Sequence, residues 1–211
     1  MNLITALKKS WIILLSAAVL FLLPVIFLLS NTSKFYGHEL NQPATEFELF
    51  DTQGDSHQLS RHKGKYTFLY FGYLNCNEVC HNQVGVMFNI SRQAVQKNID
   101  FIFVSLDAKR DSPKQLDLYF NQLGANFYAL YHPDIQVIQT LANAYKSPFY
   151  IDRIRQAWSN DANDYEIQHP GYLYLIDPEG IIRLMYPNMH LRYDYILQDL
   201  SQLNQAQVPS S

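Results

Sequence analysis

Tyr66-Thr67-Phe68-Leu69-Tyr70-Phe71-Gly72 is an almost unbroken apolar and aromatic run. A run without polar alternation predicts a strand buried on both faces of a sheet. Phe101-Ile102-Phe103-Val104-Ser105-Leu106 has the same character and predicts a second such strand, ending at Asp107. Between the two, Val84, Met87, Phe88, Val95 and Ile99 share one face of a helix over 81–97. Ser112-Pro113-Lys114-Gln115 carries the residues of a capping box with Pro in the first turn, so a helix starts there and runs to about Leu123.

Further along, 126–130 reads as a short strand and 133–144 as a helix. Tyr172-Leu173-Tyr174-Leu175-Ile176 is a strand, Asp177-Pro178-Glu179-Gly180 a turn, and Ile181 to Tyr186 its hairpin partner. Tyr193 to Leu203 is a closing helix. Upstream, Phe47 to Phe50 and His57 to Leu59 flank a turn and read as two short strands. Phe149 to Gln168 has no sustained period and reads as a long irregular loop with room for a short strand, a kind of segment that is often functional. No internal repeat is visible. The order of elements is that of an α/β domain, a central sheet with helices on both faces. Right-handed crossovers set the first buried strand beside the second. Open α/β sheets carry their sites at the carboxyl ends of such strands.

The amino-terminal pattern is different. Trp11 to Leu29 is 19 residues without a charge, enough to cross a membrane as one helix. Lys8 and Lys9 precede it and only Lys34 follows closely, so the amino terminus is expected in the cytoplasm and the large domain outside, in a periplasm or the equivalent intermembrane space. The expected organisation is a cytoplasmic tail over 1–10, a membrane anchor over 11–29, a polar tether over 30–43, a folded domain over 44–205 and a tail over 206–211. Hydrophobic residues make up 48% of the chain, which is enough for a core. A net charge of -3 argues against a nucleic-acid partner.

The chain has two cysteines, Cys76 and Cys80, four apart at the junction of the first buried strand and its helix. Thiolates are favoured at a helix start, and this spacing lets both sulfurs face one point. Such a pair binds a soft metal or exchanges electrons as a disulfide. A purely structural disulfide here closes a very small loop and stabilises by only about 2 kcal/mol. His169 lies 89 residues after Cys80, just before the Tyr172 strand, which this topology sets next to the first buried strand. It is the expected third member. Two Cys and one His suit a three-coordinate copper site, with Cu(I) or Cu(II), whereas structural zinc normally takes four protein ligands.

Phe71-Gly72-Tyr73-Leu74-Asn75-Cys76-Asn77-Glu78-Val79-Cys80 resembles the cysteine motif of the SCO/SenC family of thioredoxin-like, copper-binding proteins. The block from Phe103 to Pro113 resembles that family's second block, and Gln168-His169 followed by Tyr174 to Gly180 its metal-histidine block. The resemblance covers roughly residues 43–203. It implies a thioredoxin-like fold, copper ligation by Cys76, Cys80 and His169, and a part in assembling the copper centre of cytochrome c oxidase subunit II or loading another copper-accepting protein. Copper delivery and reduction of the recipient's cysteines are both implied. Asn77 and His81 stand where the family places Pro after each cysteine. His81 is read as a solvated first-turn residue. Pro170, just before a strand, is a feature shared with thioredoxin-type oxidoreductases, where this proline is often cis. The alternative reading is therefore a membrane-tethered thiol-disulfide oxidoreductase using Cys76 and Cys80 as catalytic thiols without metal. Asp107, Arg110 and Asp111 are read as a turn acid and a loop salt bridge or cap. His38, His57, His62, His132 and His190 receive no role.

Overall fold

The apolar runs form the centre of the sheet. A computed structural model of the chain describes residues 11, 19–24, 34–76, 79–94, 98–154, 161–187 and 190–207. By compactness the chain divides into Met1–Lys34 and Phe35–Ser211. In the second unit the order is β1 (His38–Pro43), β2 (Glu48–Phe50), β3 (Ser56–Gln58), β4 (Tyr66–Gly72), α1 (Val79–Gln93), β5 (Ile99–Ser105) and α2 (Pro113–Phe120). Then come β6 (Phe127–Leu130), α3 (Ile135–Ala144), β7 (Tyr150–Asp152), β8 (Glu166–Gln168), β9 (Leu173–Ile176), β10 (Ile181–Tyr186) and α4 (Tyr193–Gln207).

Six strands form one mixed sheet in the order β1-β10-β9-β4-β5-β6. β4, β5 and β6 are parallel neighbours, and β9 runs antiparallel beside β4. Every residue of β4, β5 and β9 is buried, as their uninterrupted apolar character requires, so both faces of the sheet centre are covered. Helices α1 and α4 pack against each other. Ser112 and Gln115 form the expected capping box of α2, which ends at Phe120, before the expected Leu123. At the β9–β10 turn, Asp177 Oδ1 accepts from the N–H groups of Glu179 and Ile181 at 3.1 and 2.8 Å, and Gly180 takes φ 85°. This is a thioredoxin-like arrangement.

Two expectations are corrected. The tether over 30–43 does not reach Pro43: 38–43 is β1, an edge strand paired antiparallel with β10. Its side chains are almost all exposed, so no hydrophobic period marks it; backbone pairing makes the strand. The irregular segment over 149–168 contains two short strands rather than one, since β7 and β8 pair with each other. The expected membrane span falls largely outside the described residues, as do Val95 to Lys97 of the first helix and the tail from Val208. Among the described residues no helix is long and apolar enough to cross a membrane.

The register positions the site. Gly72, the last residue of β4, pairs with Ser105 of β5, and Tyr70 pairs with Leu173, the first residue of β9. The loop after β4 and the segment before β9 therefore emerge at the same end of the sheet.

Candidate metal centre

Cys76 sits in the loop after β4 and Cys80 in the first turn of α1. Both are buried, and no disulfide joins them. The backbone N–H of Cys80 donates to Cys76 Sγ at 3.5 Å, so the sulfur serves one of the amide donors a helix start leaves over. His81 Nδ1 lies 2.8 Å from the Cys76 carbonyl oxygen, which closes the same turn. Asp111 holds the loop from below: both its carboxylate oxygens accept from the Leu74 N–H, at 3.2 and 3.1 Å, and one accepts from Ser105 Oγ at 2.7 Å. Burial pushes the Asp111 carboxyl up to about 6, against the opposing hydrogen bonds from Ser105 and Leu74.

His169 reaches the thiols from the segment between β8 and β9. Its Nε2 lies 3.5 Å from Cys80 Sγ, and its Nδ1 accepts from the Gly171 N–H at 3.3 Å. With Nδ1 accepting, the neutral ring carries its proton on Nε2, facing the sulfur. The edges of Tyr70 and Tyr73 frame the imidazole, with ring centroids 6.2 and 5.9 Å away. Two hydrogen bonds fasten this segment to the cysteine side. The Tyr73 hydroxyl accepts from the Ile167 N–H at 3.3 Å, and Gln83 Nε2 of α1 donates to the Gly171 carbonyl at 2.9 Å.

A second clamp lies just behind. Arg110 pairs through Nε with Asp107, donates through Nη1 to the carbonyls of Asn163 and Tyr165 at 3.0 and 2.7 Å, and lies 3.7 Å over the Tyr165 ring. Tyr165 in turn donates its hydroxyl to Asp107 at 2.7 Å. Arg110 thus forms its salt bridge with Asp107 rather than with the expected Asp111, and the pair also anchors the stretch leading to His169.

The site differs from its sequence reading in one electrostatic respect. A helix start was expected to favour thiolate. Cys80 is 3% exposed, and burial pushes its thiol well above the ordinary range, reinforced by Cys76 and opposed only in part by Tyr70. Desolvation outweighs the dipole. No cis peptide bond occurs among the described residues, so Pro170 lacks the cis form of the oxidoreductase feature.

Cys76, Cys80 and His169 each offer a ligand atom, and these atoms lie within 4.8 Å of one another. Among the described residues no further His, Cys, Asp or Glu joins this group, and His81 stays outside it. Metal–sulfur bonds of about 2.3 Å and metal–nitrogen bonds of about 2.0 Å span such separations around one ion. The donor set, two soft sulfurs and an imidazole, fits Cu(I) and tolerates Cu(II).

The SCO1/SenC family model matches residues 37–205. The chain belongs to that family. An SCO2-like protein of Rickettsia prowazekii is 32% identical over 136 residues, covering 64% of this chain and 64% of that protein. The copper-bound structure of ScoI from Arabidopsis thaliana is similar at a TM-score of 0.65 and 20% identity, over 77% of this chain and 98% of that one. BsSco, described as having a disulfide switch and as a member of the Sco family of cytochrome c oxidase assembly proteins, is similar at a TM-score of 0.59 and 19% identity, over 81% and 98% of the two chains. These likenesses establish the thioredoxin-like Sco fold.

Several residues of this SCO1/SenC site gave no signal in the sequence. A Cβ on Gly72 would stand 2.6 Å from Tyr70 Cε1 and 3.1 Å from Cys80 Sγ, so the glycine makes room for the thiol. Gln83 and Tyr73 fasten the histidine segment, and Tyr70 borders the sulfur. Of these, Gly72 and Tyr73 lie within the cysteine motif, whereas Tyr70 and Gln83 lie outside it.

Proposed function

We propose that this chain is a membrane-tethered copper-binding protein that helps assemble the copper centre of cytochrome c oxidase subunit II, holding the ion through Cys76, Cys80 and His169 before passing it on. The observation that carries the reading is the convergence of two sulfurs and one imidazole nitrogen within 4.8 Å, from segments 89 residues apart in sequence. Family membership, the copper bound to the Arabidopsis ScoI structure and the oxidase-assembly description of BsSco support it. Copper is cargo here. The protein's part is to present deprotonated sulfurs and a neutral imidazole, and to exclude water with Tyr70 and Tyr73. Capture releases protons, because both thiols must give theirs up. The uncharged run from Trp11 to Leu29 and the lysines before it support a single anchor with the domain exported.

A second reading, reduction of a recipient's cysteines, is favoured by the closeness of the two sulfurs and by the disulfide switch described for BsSco. In that role Cys76 and Cys80 together release two electrons and two protons and end as a disulfide. The raised Cys80 thiol makes it a slow exchanger unless a cation or partner offsets the burial.

Anaerobic titration of the reduced full-length chain with copper tests the first reading. One equivalent is expected to bind. Cys76→Ser and Cys80→Ser should lower affinity by more than the roughly 10–100-fold that outer partners of a metal site are worth. His169→Ala should weaken binding and abolish the Cu(II) colour. Equal affinity and identical spectra in the native chain and His169→Ala would reject the tridentate site and leave the dithiol reading.

A further inference from the structure

Tyr70 is fully buried in β4, and its hydroxyl makes no well-aligned hydrogen bond, only a loose contact with the Cys80 thiol. A buried donor without an acceptor is unfavourable, and each case in a folded protein calls for a reason. Phenylalanine would fill the same space, and it already does so at Phe68 and Phe71 in the same strand.

The surroundings supply the reason. The bare backbone of Gly72 lies under both Tyr70 Cε1, the ring carbon beside the hydroxyl-bearing one, and Cys80 Sγ. The ring edge and the sulfur therefore meet over one glycine. The same ring stands edge-on to His169, 6.2 Å between centroids, and packs against Phe103 at 6.0 Å.

A neutral thiol is a weak acceptor, whereas a metal-bound sulfur carries negative charge and strong acceptor character. We propose that Tyr70 is a positioning residue whose hydroxyl donates to Cys80 Sγ once that sulfur holds copper. In the metal-free protein the acceptor beside it is the weakly accepting Cys80 thiol; in the loaded protein the same sulfur accepts strongly. The hydroxyl then stabilises the loaded state more than the metal-free state, as outer hydrogen bonds to metal ligands do. This inference rests on the copper reading above and assigns a residue outside the ligand set.

The test is Tyr70→Phe in the full-length chain, which removes one oxygen and keeps the ring. Three quantities are measured: Cu(I) affinity by competition with a chromophoric chelator, the sulfur-to-Cu(II) charge-transfer band, and the thermal midpoint of the metal-free protein. Affinity should fall about 10-fold, the band should shift, and the metal-free midpoint should hold or rise. A structural role gives the opposite pattern. A lowered metal-free midpoint, with or without weaker binding, would overturn the proposal, and so would an unchanged affinity and band. Failure of the native chain to take copper would overturn the copper reading together with this inference, and it is seen before any variant is compared.

Discussion

Two buried histidine clusters lie at opposite ends of β4, and they are built on opposite plans. At the carboxyl end, Cys76, Cys80 and His169 aim their ligand atoms at one region. At the amino end, His57, His62 and Asp100 form a chain. His57 Nε2 lies 2.8 Å from His62 Nε2, and His62 Nδ1 lies 2.7 Å from Asp100, which also accepts from Lys65 Nζ at 2.9 Å. The Tyr128 ring covers both imidazoles, at centroid distances of 5.2 and 4.9 Å. In the chain both ring nitrogens of His62 and both oxygens of Asp100 are engaged by neighbours. In the convergent cluster the donor atoms share a centre. What separates the two is arrangement: three ligand atoms gathered within 4.8 Å in one, and a linear hydrogen-bond chain in the other.

The largest effect that sharpens this contrast is expected from His62→Ala. It leaves the His57 imidazole without its partner and the buried Asp100 carboxylate with Lys65 alone, and should destabilise the fold by about 3 kcal/mol, near the low end of breaking a buried pair. Copper affinity should change less than two-fold. Chemical denaturation and copper titration of the same sample check both halves, and a loss of copper binding in a folded variant would erase the distinction between the clusters.

The two ends also respond to acid in opposite directions. Burial, with the nearby His62 and Arg61, pushes His57 down from 6.5 to about 4. As pH falls from about 6.5 to 4 the unfolded chain takes up this proton and the folded chain does not, so stability is lost, by at most about 3 kcal/mol. Asp100 adds to that loss at lower pH: burial raises its carboxyl, but hydrogen bonds from His62 and Lys65 outweigh burial and leave it lowered. Asp111, under the cysteine loop, is raised from 3.8 to about 6. Between those values the folded chain holds the extra proton, so its contribution grows as pH falls from about 6 to 3.8 and is lost as pH rises through 6. His57→Gln should therefore flatten the loss of stability below pH 6.5, and Asp111→Asn should steepen it. Unfolding free energies of the three chains between pH 7 and pH 4.5 measure this. Parallel curves would show that neither group is coupled to folding as described.

A smaller effect is expected from Gly72→Ala. The added methyl overlaps Tyr70 and crowds the Cys80 sulfur, so overpacking should destabilise by about 1–3 kcal/mol. Copper affinity should fall with it, in contrast to His62→Ala. A variant of native stability and native affinity would show that the space above Gly72 is not what seats the thiol.

The sequence made the convergent cluster legible and left the chain hidden, for physical reasons. β4, β5 and β9 are buried on both faces, so their apolar runs are visible without knowledge of what they touch. The β4–β5 pairing follows from the crossover rule, and the antiparallel pairing of β9 with β4 brings His169 to the thiols. Cysteine is rare and chemically distinct, so two of them at a strand–helix junction stand out. His57 and His62 gave no such signal, because a histidine in a polar stretch reads the same whether it ends up exposed or sealed under Tyr128. β1 was missed because an exposed edge strand is held by backbone pairing, which leaves no side-chain period. β7 and β8 are three residues each, too short for any period to declare itself. Thiolate at the helix start was expected from local geometry alone, and the burial that reverses it is a property of the whole fold.

The convergence itself is best tested by X-ray absorption at the copper edge on the anaerobically loaded, full-length Cu(I) chain, beside His169→Ala. Two sulfurs at about 2.3 Å and one imidazole nitrogen at about 2.0 Å are expected in the native chain, with the nitrogen gone in the variant. A first shell without sulfur, or the same shell in both proteins, would contradict a site made by these three residues.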